Sequence, residues 1–205
     1  MPQAPIRVGA RVPVTEAEGP GRRYALWLQG CSIRCPGCCN PHLFDAAGGE
    51  ACDATTLLGE VAAVGDVLEG VTLLGGEPFE QAAGLVPLVR GTRDLGLSVI
   101  IFTGYAIEEL RSSRDPAVAD LLAATDVLVD GRYDRTQPEP QRRWVGSANQ
   151  RFHYLTTRYG PEIETPVDGT PWRSVEVRIG ADGRWSANGW PALARGTGRT
   201  PADRA

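Results

Sequence analysis

Four short apolar runs divide the first 130 residues: 24–29 (YALWLQ), 71–74 (VTLL), 97–102 (LSVIIF) and 126–129 (DVLV). Between and beside them lie stretches with helical spacing, at residues 55–68, 79–95, 106–112 and 116–124. Strands that alternate with helices predict βαβ units and a mostly parallel sheet. A complete eight-fold barrel takes roughly 250 residues. A chain of 205 residues therefore points to an α/β fold with a partial (β/α) barrel or an open curved parallel sheet.

The character changes after residue 160. Residues 160–172 are rich in Pro, Gly and Thr and read as a connector. Residues 174–179, the turn 180–183 (GADG) and residues 184–187 read as a β-hairpin. The expected division is a core over residues 1–159, a connector and hairpin extension over 160–194, and a disordered tail over 195–205.

In parallel α/β sheets, ligands gather beyond the carboxyl ends of the strands. Three of the apolar runs are followed there by conspicuous turns: GCSIRCPGCC from Gly30, GGEP at Gly75, Gly76, Glu77 and Pro78, and TGY at Thr103, Gly104 and Tyr105. Four of the five cysteines, Cys31, Cys35, Cys38 and Cys39, crowd into the first of these turns. No apolar run approaches the ~20 residues needed to span a bilayer. The N-terminal segment lacks the apolar stretch of a secretory signal. A reducing cytoplasm is the expected compartment, where clustered cysteines are ligands or redox groups more often than bridges.

Zinc wants four ligands, commonly from two CxxC knuckles, and Cys35-Pro-Gly-Cys38 is one knuckle without a second. A thioredoxin-like dithiol at Cys35 and Cys38 leaves Cys31 and the GGEP turn unexplained. Three thiolates at spacings of four and three suit three corners of a [4Fe–4S] cluster, a cofactor bound by cysteine thiolates. Such a set leaves one iron open for chemistry. Cys52 stands alone and reads as a small buried residue.

Absences narrow the function further. All 21 basic residues are arginine, so neither a pyridoxal Schiff base nor a Walker lysine is possible. With only His42 and His153 there is no HExxH zinc helix. A net charge of −4 argues against nucleic acid as a partner. Residues 132–158 hold six arginines against Asp134 and Glu139, a solvated face or a docking patch for an acidic partner.

The motifs GPGRRYALWLQGCSIRCPGCCNP, VTLLGGEPFEQ, SVIIFTGYAIEEL, DVLVDGRYD and WVGSANQR, in that order, resemble the radical S-adenosylmethionine (SAM) superfamily. Within it they are similar to the activating enzymes of anaerobic ribonucleotide reductase, over roughly residues 19–155. The resemblance implies that Cys31, Cys35 and Cys38 ligate one [4Fe–4S] cluster whose open iron chelates SAM. It implies that Gly37, Cys38 and Cys39 line the adenosine. Gly75, Gly76, Glu77 and Pro78 would run along the methionyl part, with Thr103, Tyr105 and Asp130 also at the cofactor.

The same resemblance assigns no catalytic side chain beyond cluster and SAM. It implies a glycyl-radical enzyme as partner and a low-potential electron donor of flavodoxin or ferredoxin type, with no membrane involved. Asp130-Gly131 is equally readable as a simple turn, and Ser147, Asn149 and Gln150 as a cap on the sheet or a partner contact. Cys39 stands where the family often has an aromatic residue, a place that His42 or Phe44 would have to fill. The alternatives are a radical SAM enzyme acting directly on a small molecule or peptide, and a metal-stabilised binding module without catalysis.

Overall fold

A computed structural model describes residues 4–166, 174–189 and 194–197 of the chain. Its centre is a seven-stranded mixed sheet, built from β1 (Ile6–Thr15), β2 (Arg23–Leu28), β3 (Glu50–Cys52), β4 (Gly70–Gly75), β5 (Ser98–Phe102), β6 (Val127–Asp130) and β7 (Arg151–Tyr154) in the order β3-β1-β2-β4-β5-β6-β7. The middle four strands, β2, β4, β5 and β6, are parallel. β1 and β7 run antiparallel to this centre on either side, and β3 pairs antiparallel with β1 at the outer edge. The expected mixed α/β architecture with a parallel centre is thus observed.

Register makes the rim. Leu28 pairs with Gly75, Leu73 with Ile101, and Phe102 with Val129, so the four parallel strands end level. The turns that follow them therefore emerge side by side.

Helices α1 (Ala54–Val64), α2 (Ala82–Asp94), α3 (Ile107–Arg111) and α4 (Pro116–Ala123) cross between strands. Asp53 caps α1 by accepting the Thr56 amide at 2.7 Å, and Asp115 caps α4 ahead of Pro116, both standard uses of a side-chain oxygen at a helix start. α1 stops at Val64 because Gly65 takes φ +67°, which converts the last residues of the expected 55–68 helix into a 3-10 turn. The expected 79–95 helix likewise opens with a 3-10 turn at Pro78–Gln81 before α2 begins.

Alternation along β2 separates the two faces of the sheet. Tyr24, Leu26 and Leu28 join Leu57, Leu85 and Leu88 in the core beneath the helices. Each such buried side chain contributes roughly 1.5–3 kcal/mol. Ala25 and Trp27 point the other way, packing with Ala10, Val12 and Leu43. Loops, not helices, cover that second face, and Val145, Phe152 and Tyr159 pack there against Ile100, Val127 and Val129.

Arg23 lies fully buried at the start of β2, and among the described residues no carboxylate is in hydrogen-bond contact with it. It donates to Thr72 Oγ1 at 3.0 Å, Ser98 Oγ at 2.6 Å and the Val71 carbonyl at 2.6 Å. Burial pulls its pKa down to about 10.

β1, β3 and β7 lie outside the expected alternation. β1 alternates buried and half-exposed residues and carries Arg7, Arg11 and Pro13, so it shows no continuous apolar run; β3 and β7 have three and four residues. The expected hairpin is present as β8 (Val175–Ile179) and β9 (Arg184–Gly189), joined through Gly183 at φ +75°. A third strand, β10 (Ala194–Thr197), pairs with β9, so residues 195–197 of the expected disordered tail are a strand, recruited by the free edge of β9. Residues 198–205, and 167–172 of the expected connector, lie outside the described residues.

Candidate active site

The cysteine loop is pinned at both ends. The Gly30 amide donates to Leu43 O at 2.8 Å and the Cys31 amide to Phe44 O at 3.2 Å. Gln29 Nε2 reaches back to Asp45 O at 2.7 Å. Inside the loop the Cys38 amide closes onto Cys35 O at 3.1 Å. Gly37 turns there with φ +82°, a conformation that costs glycine nothing, while Arg135 and Tyr133 pack against it.

The GGEP turn docks directly on this loop. The Gly76 amide donates to Leu28 O and the Glu77 amide to Gly30 O, both at 2.8 Å. A Cβ on Gly76 would stand 2.2 Å from Gly30 O, so only glycine permits this approach.

Glu77 is a buried bracket between two strand ends. Its Oε1 accepts the Phe79 amide at 3.0 Å and the Thr103 hydroxyl at 2.8 Å, and its Oε2 accepts the Gly104 amide at 2.9 Å. Burial nevertheless pushes its pKa up to about 7 against these three hydrogen bonds. Glu80, a turn later, accepts the Ser32 amide at 3.0 Å and the Tyr105 hydroxyl at 3.3 Å. The three turns are therefore one hydrogen-bonded unit.

They surround a cavity of about 490 Å³. Trp27, Leu74 and Phe102, near the ends of three neighbouring strands, supply apolar wall, and Tyr133 and Trp144 close it from the loop after β6. Of the residues expected at the site, Cys31, Cys35, Gly37, Cys38 and Cys39 line the cavity, as do Gly75, Gly76, Glu77 and Thr103.

Pro78, Tyr105 and Asp130 are not among the lining residues. Pro78 is buried in the 3-10 turn. Asp130 is fully buried below the rim, where it accepts the Ile107 amide at 2.7 Å and Arg151 Nη2 at 2.6 Å, with His153 Nε2 3.0 Å away. The adjacent Gly131 does face the cavity. Gln150 lines it too, its Oε1 accepting the Gly146 amide at 2.9 Å. Phe44 lines the cavity, whereas His42 is exposed on the 3-10 turn Pro41–Leu43.

Several lining residues carry no sequence signal. Glu18 and Gly189 come from the β1–β2 connector and the end of β9. The strand parity of Trp27 and Phe102, facing away from the helices, is the one clue to a second face that no helix covers.

The thiols differ in environment. A hydrogen bond from Cys39 holds Cys38 down to about 6, whereas burial pushes Cys31 and Cys35 up. Among the described residues no three His, Cys, Asp or Glu side chains gather as the ligands of one metal ion would. A cluster makes a different demand, since its thiolates bind separate irons. Three half-buried thiols on one pinned loop, all facing one cavity, fit that demand. Cys52 is buried in β3, where Arg11 Nη1 lies 3.4 Å from its sulfur.

Three of the six arginines of the 132–158 run form ion pairs within the chain. Arg132 pairs with Glu109, Arg142 with Glu139 and Arg151 with Glu108 and Asp130. No described helix is long and apolar enough to cross a membrane.

A cysteine loop set over a cavity at the carboxyl ends of parallel strands has the thiols and the space that an iron–sulfur cluster domain needs. Residues 17–153 match the family model described as a 4Fe-4S single cluster domain. The chain is similar to the anaerobic ribonucleoside-triphosphate reductase-activating protein of Escherichia coli (strain K12), 31% identical over 153 residues that span 70% of this chain and 95% of the relative. Its counterpart from Vibrio cholerae is 32% identical over 151 residues, with the same coverage. That of Enterobacteria phage T4 is 30% identical over 146 residues, 68% of this chain and 88% of the relative. The chain belongs to the family of anaerobic ribonucleotide reductase-activating proteins.

Proposed function

We propose that this protein is a radical SAM activase that generates a glycyl radical on an anaerobic ribonucleotide reductase. One observation carries the reading: Cys31, Cys35 and Cys38 and the GGEP turn line a single cavity and are joined through their backbones. The sequence family supplies the reaction class. The open sheet is then a partial barrel of the radical SAM type, with SAM in the cavity.

When bound, the cluster and SAM would supply the redox chemistry, one-electron cleavage of the sulfonium coupled to removal of a hydrogen atom from a glycine Cα of the partner. The chain's own residues hold and shield. Cys31, Cys35 and Cys38 would hold three irons, and the Asn40 amide, 3.4 Å from the Cys38 sulfur, helps to fix that thiol. The Gly75-Gly76 backbone, bare of side chains, lets the methionyl part of SAM approach closely. Gly37, Cys39 and Thr103 would face the adenosine. Trp27, Leu74 and Phe102 keep water from the site, which suits a cofactor whose reactive products must be protected. Glu77, engaged by Thr103 and Gly104, orients the turn; Tyr105 through Glu80, and Asp130 through Ile107 and Arg151, support the rim from outside the cavity. The electron would come from a flavodoxin- or ferredoxin-type donor in the cytoplasm.

The test is direct. Protein purified without oxygen, reconstituted with iron and sulfide, reduced with dithionite and given SAM is expected to yield 5′-deoxyadenosine and methionine. Addition of the anaerobic reductase is expected to produce a glycyl-radical signal in electron paramagnetic resonance. A protein that binds zinc in place of iron and leaves SAM intact with the reductase present would overturn the reading in favour of a metal-stabilised module.

A further inference from the structure

The small C-terminal sheet sits on the connector that follows β1. The Glu16 amide donates to Glu176 Oε1 at 2.6 Å and Arg178 Nη2 to Val14 O at 2.8 Å. Asn188 Nδ2 lies 2.9 Å from Thr15 Oγ1 and donates to Glu18 Oε1 at 3.0 Å. Asn188 is 1% exposed and Glu18 9%, so this contact is made away from water, where an unmade hydrogen bond is costly. Glu18 and Gly189 both line the cavity that the cysteines face. A Cβ on Gly189 would stand 2.1 Å from Ser174 O and 3.2 Å from Ala17 Cβ, so β9 meets the connector with no room to spare.

This sheet lies beyond the region shared with relatives. The family match ends at residue 153. The relatives place 95% of their own length within 70% of this chain. Gly189, at the end of β9, therefore brings a residue from outside the matched domain to the cavity lining, beside Glu18 from within it.

We infer that the C-terminal sheet is a specificity-determining wall of the site, and that Asn188 is a positioning residue which acts through Glu18 on the substrate segment entering the cavity. A carboxylate has about four acceptor positions. Asn188 occupies one of those on Glu18. Glu18 lines the cavity, so its remaining acceptor capacity would suit a hydrogen-bond donor of the incoming segment. Asn188 selects the rotamer in which the carboxylate is so presented, and an ordering of this kind raises affinity by lowering the entropy lost on binding.

The inference rests on the proposed activase reading, and the experiment separates the two. Three proteins are compared: wild type, Asn188→Ala, and the double variant Glu18→Gln/Asn188→Asp. The double variant exchanges donor and acceptor but keeps the hydrogen bond. Radical yield is measured against the concentration of the anaerobic reductase from the same organism, together with thermal midpoints and binding of that reductase to metal-free protein. Asn188→Ala is expected to raise KM for the reductase about tenfold with less than a twofold fall in kcat, and to weaken binding to the metal-free protein in parallel. The double variant is expected to recover the thermal midpoint and not the KM. Recovery of both, or an Asn188→Ala variant with wild-type KM and binding, would overturn the inference and leave the bond a structural one. If wild type forms no 5′-deoxyadenosine in the presence of the reductase, the activase reading fails. Reductase binding by the metal-free variants then decides the role of Asn188.

Discussion

Glu77 and Thr103 meet across the ends of two parallel strands: the Thr103 hydroxyl donates to Glu77 Oε1 at 2.8 Å, against a glutamate only 1% exposed. The contact welds the turn after β4 to the turn after β5. It also stores a titration inside the fold.

Because burial raises Glu77 to about 7 from 4.5, the folded protein holds a proton that the unfolded chain releases. Its contribution to stability is thus fully present below about pH 4.5 and is lost as pH rises through about 7. The loss across that window is on the order of 3 kcal/mol. Glu77→Gln is expected to flatten this slope in urea unfolding between pH 5 and 8. An unchanged slope would exclude Glu77 as its source.

Asp126 titrates with the opposite sign. Burial pushes its pKa up, but hydrogen bonds from Thr156, the Val99 amide and Arg93 outweigh that and hold it below the ordinary 3.8. Its stabilisation is present above about pH 3.8 and is lost as pH falls below that value. Asp126→Ala is expected to cost about 3 kcal/mol at pH 7, since it strands a buried amide and two further donors. Chemical denaturation of the variant at pH 7 measures this directly.

Replacing Cys31, Cys35 or Cys38 with Ala is expected to abolish cluster binding and 5′-deoxyadenosine formation in each case. Cys52→Ala is expected to retain iron and to lose about 1 kcal/mol of stability, since Cys52 is a buried small residue in β3. Iron analysis alongside thermal melts distinguishes the two groups.

Two glycines should respond oppositely to alanine. At Gly76 a Cβ would lie 2.2 Å from the Gly30 carbonyl, so Gly76→Ala must separate the two turns and is expected to cost about 3 kcal/mol or more, with loss of SAM binding. At Gly59, exposed within α1, a Cβ would meet nothing within 4 Å. Gly59→Ala is expected to stabilise by about 0.5–1 kcal/mol. Denaturation midpoints of the pair check both signs.

Much of the site is legible in the sequence itself. The cysteine spacing, GGEP and TGY are local words, and the level strand ends deliver all three to one rim. Asp130 shows the limit of such reading. Its position after a strand places it at the rim in principle, yet the side chain turns under it to Ile107 and Arg151. Tyr105 likewise stands off the cavity and touches Glu80. Side-chain direction at a strand end depends on which neighbours pack below, and a motif does not record that.

By itself the sequence determined the central alternation of strands and helices, through apolar periodicity, and put three thiols on one short loop. Only the tertiary structure decided what stands around them. The Asn188–Glu18 contact joins residues 170 positions apart, and Glu77 reaches Thr103 across 26. Such contacts are set by the packing of one surface on another, where burial and hydrogen-bond geometry act between segments that share no local pattern.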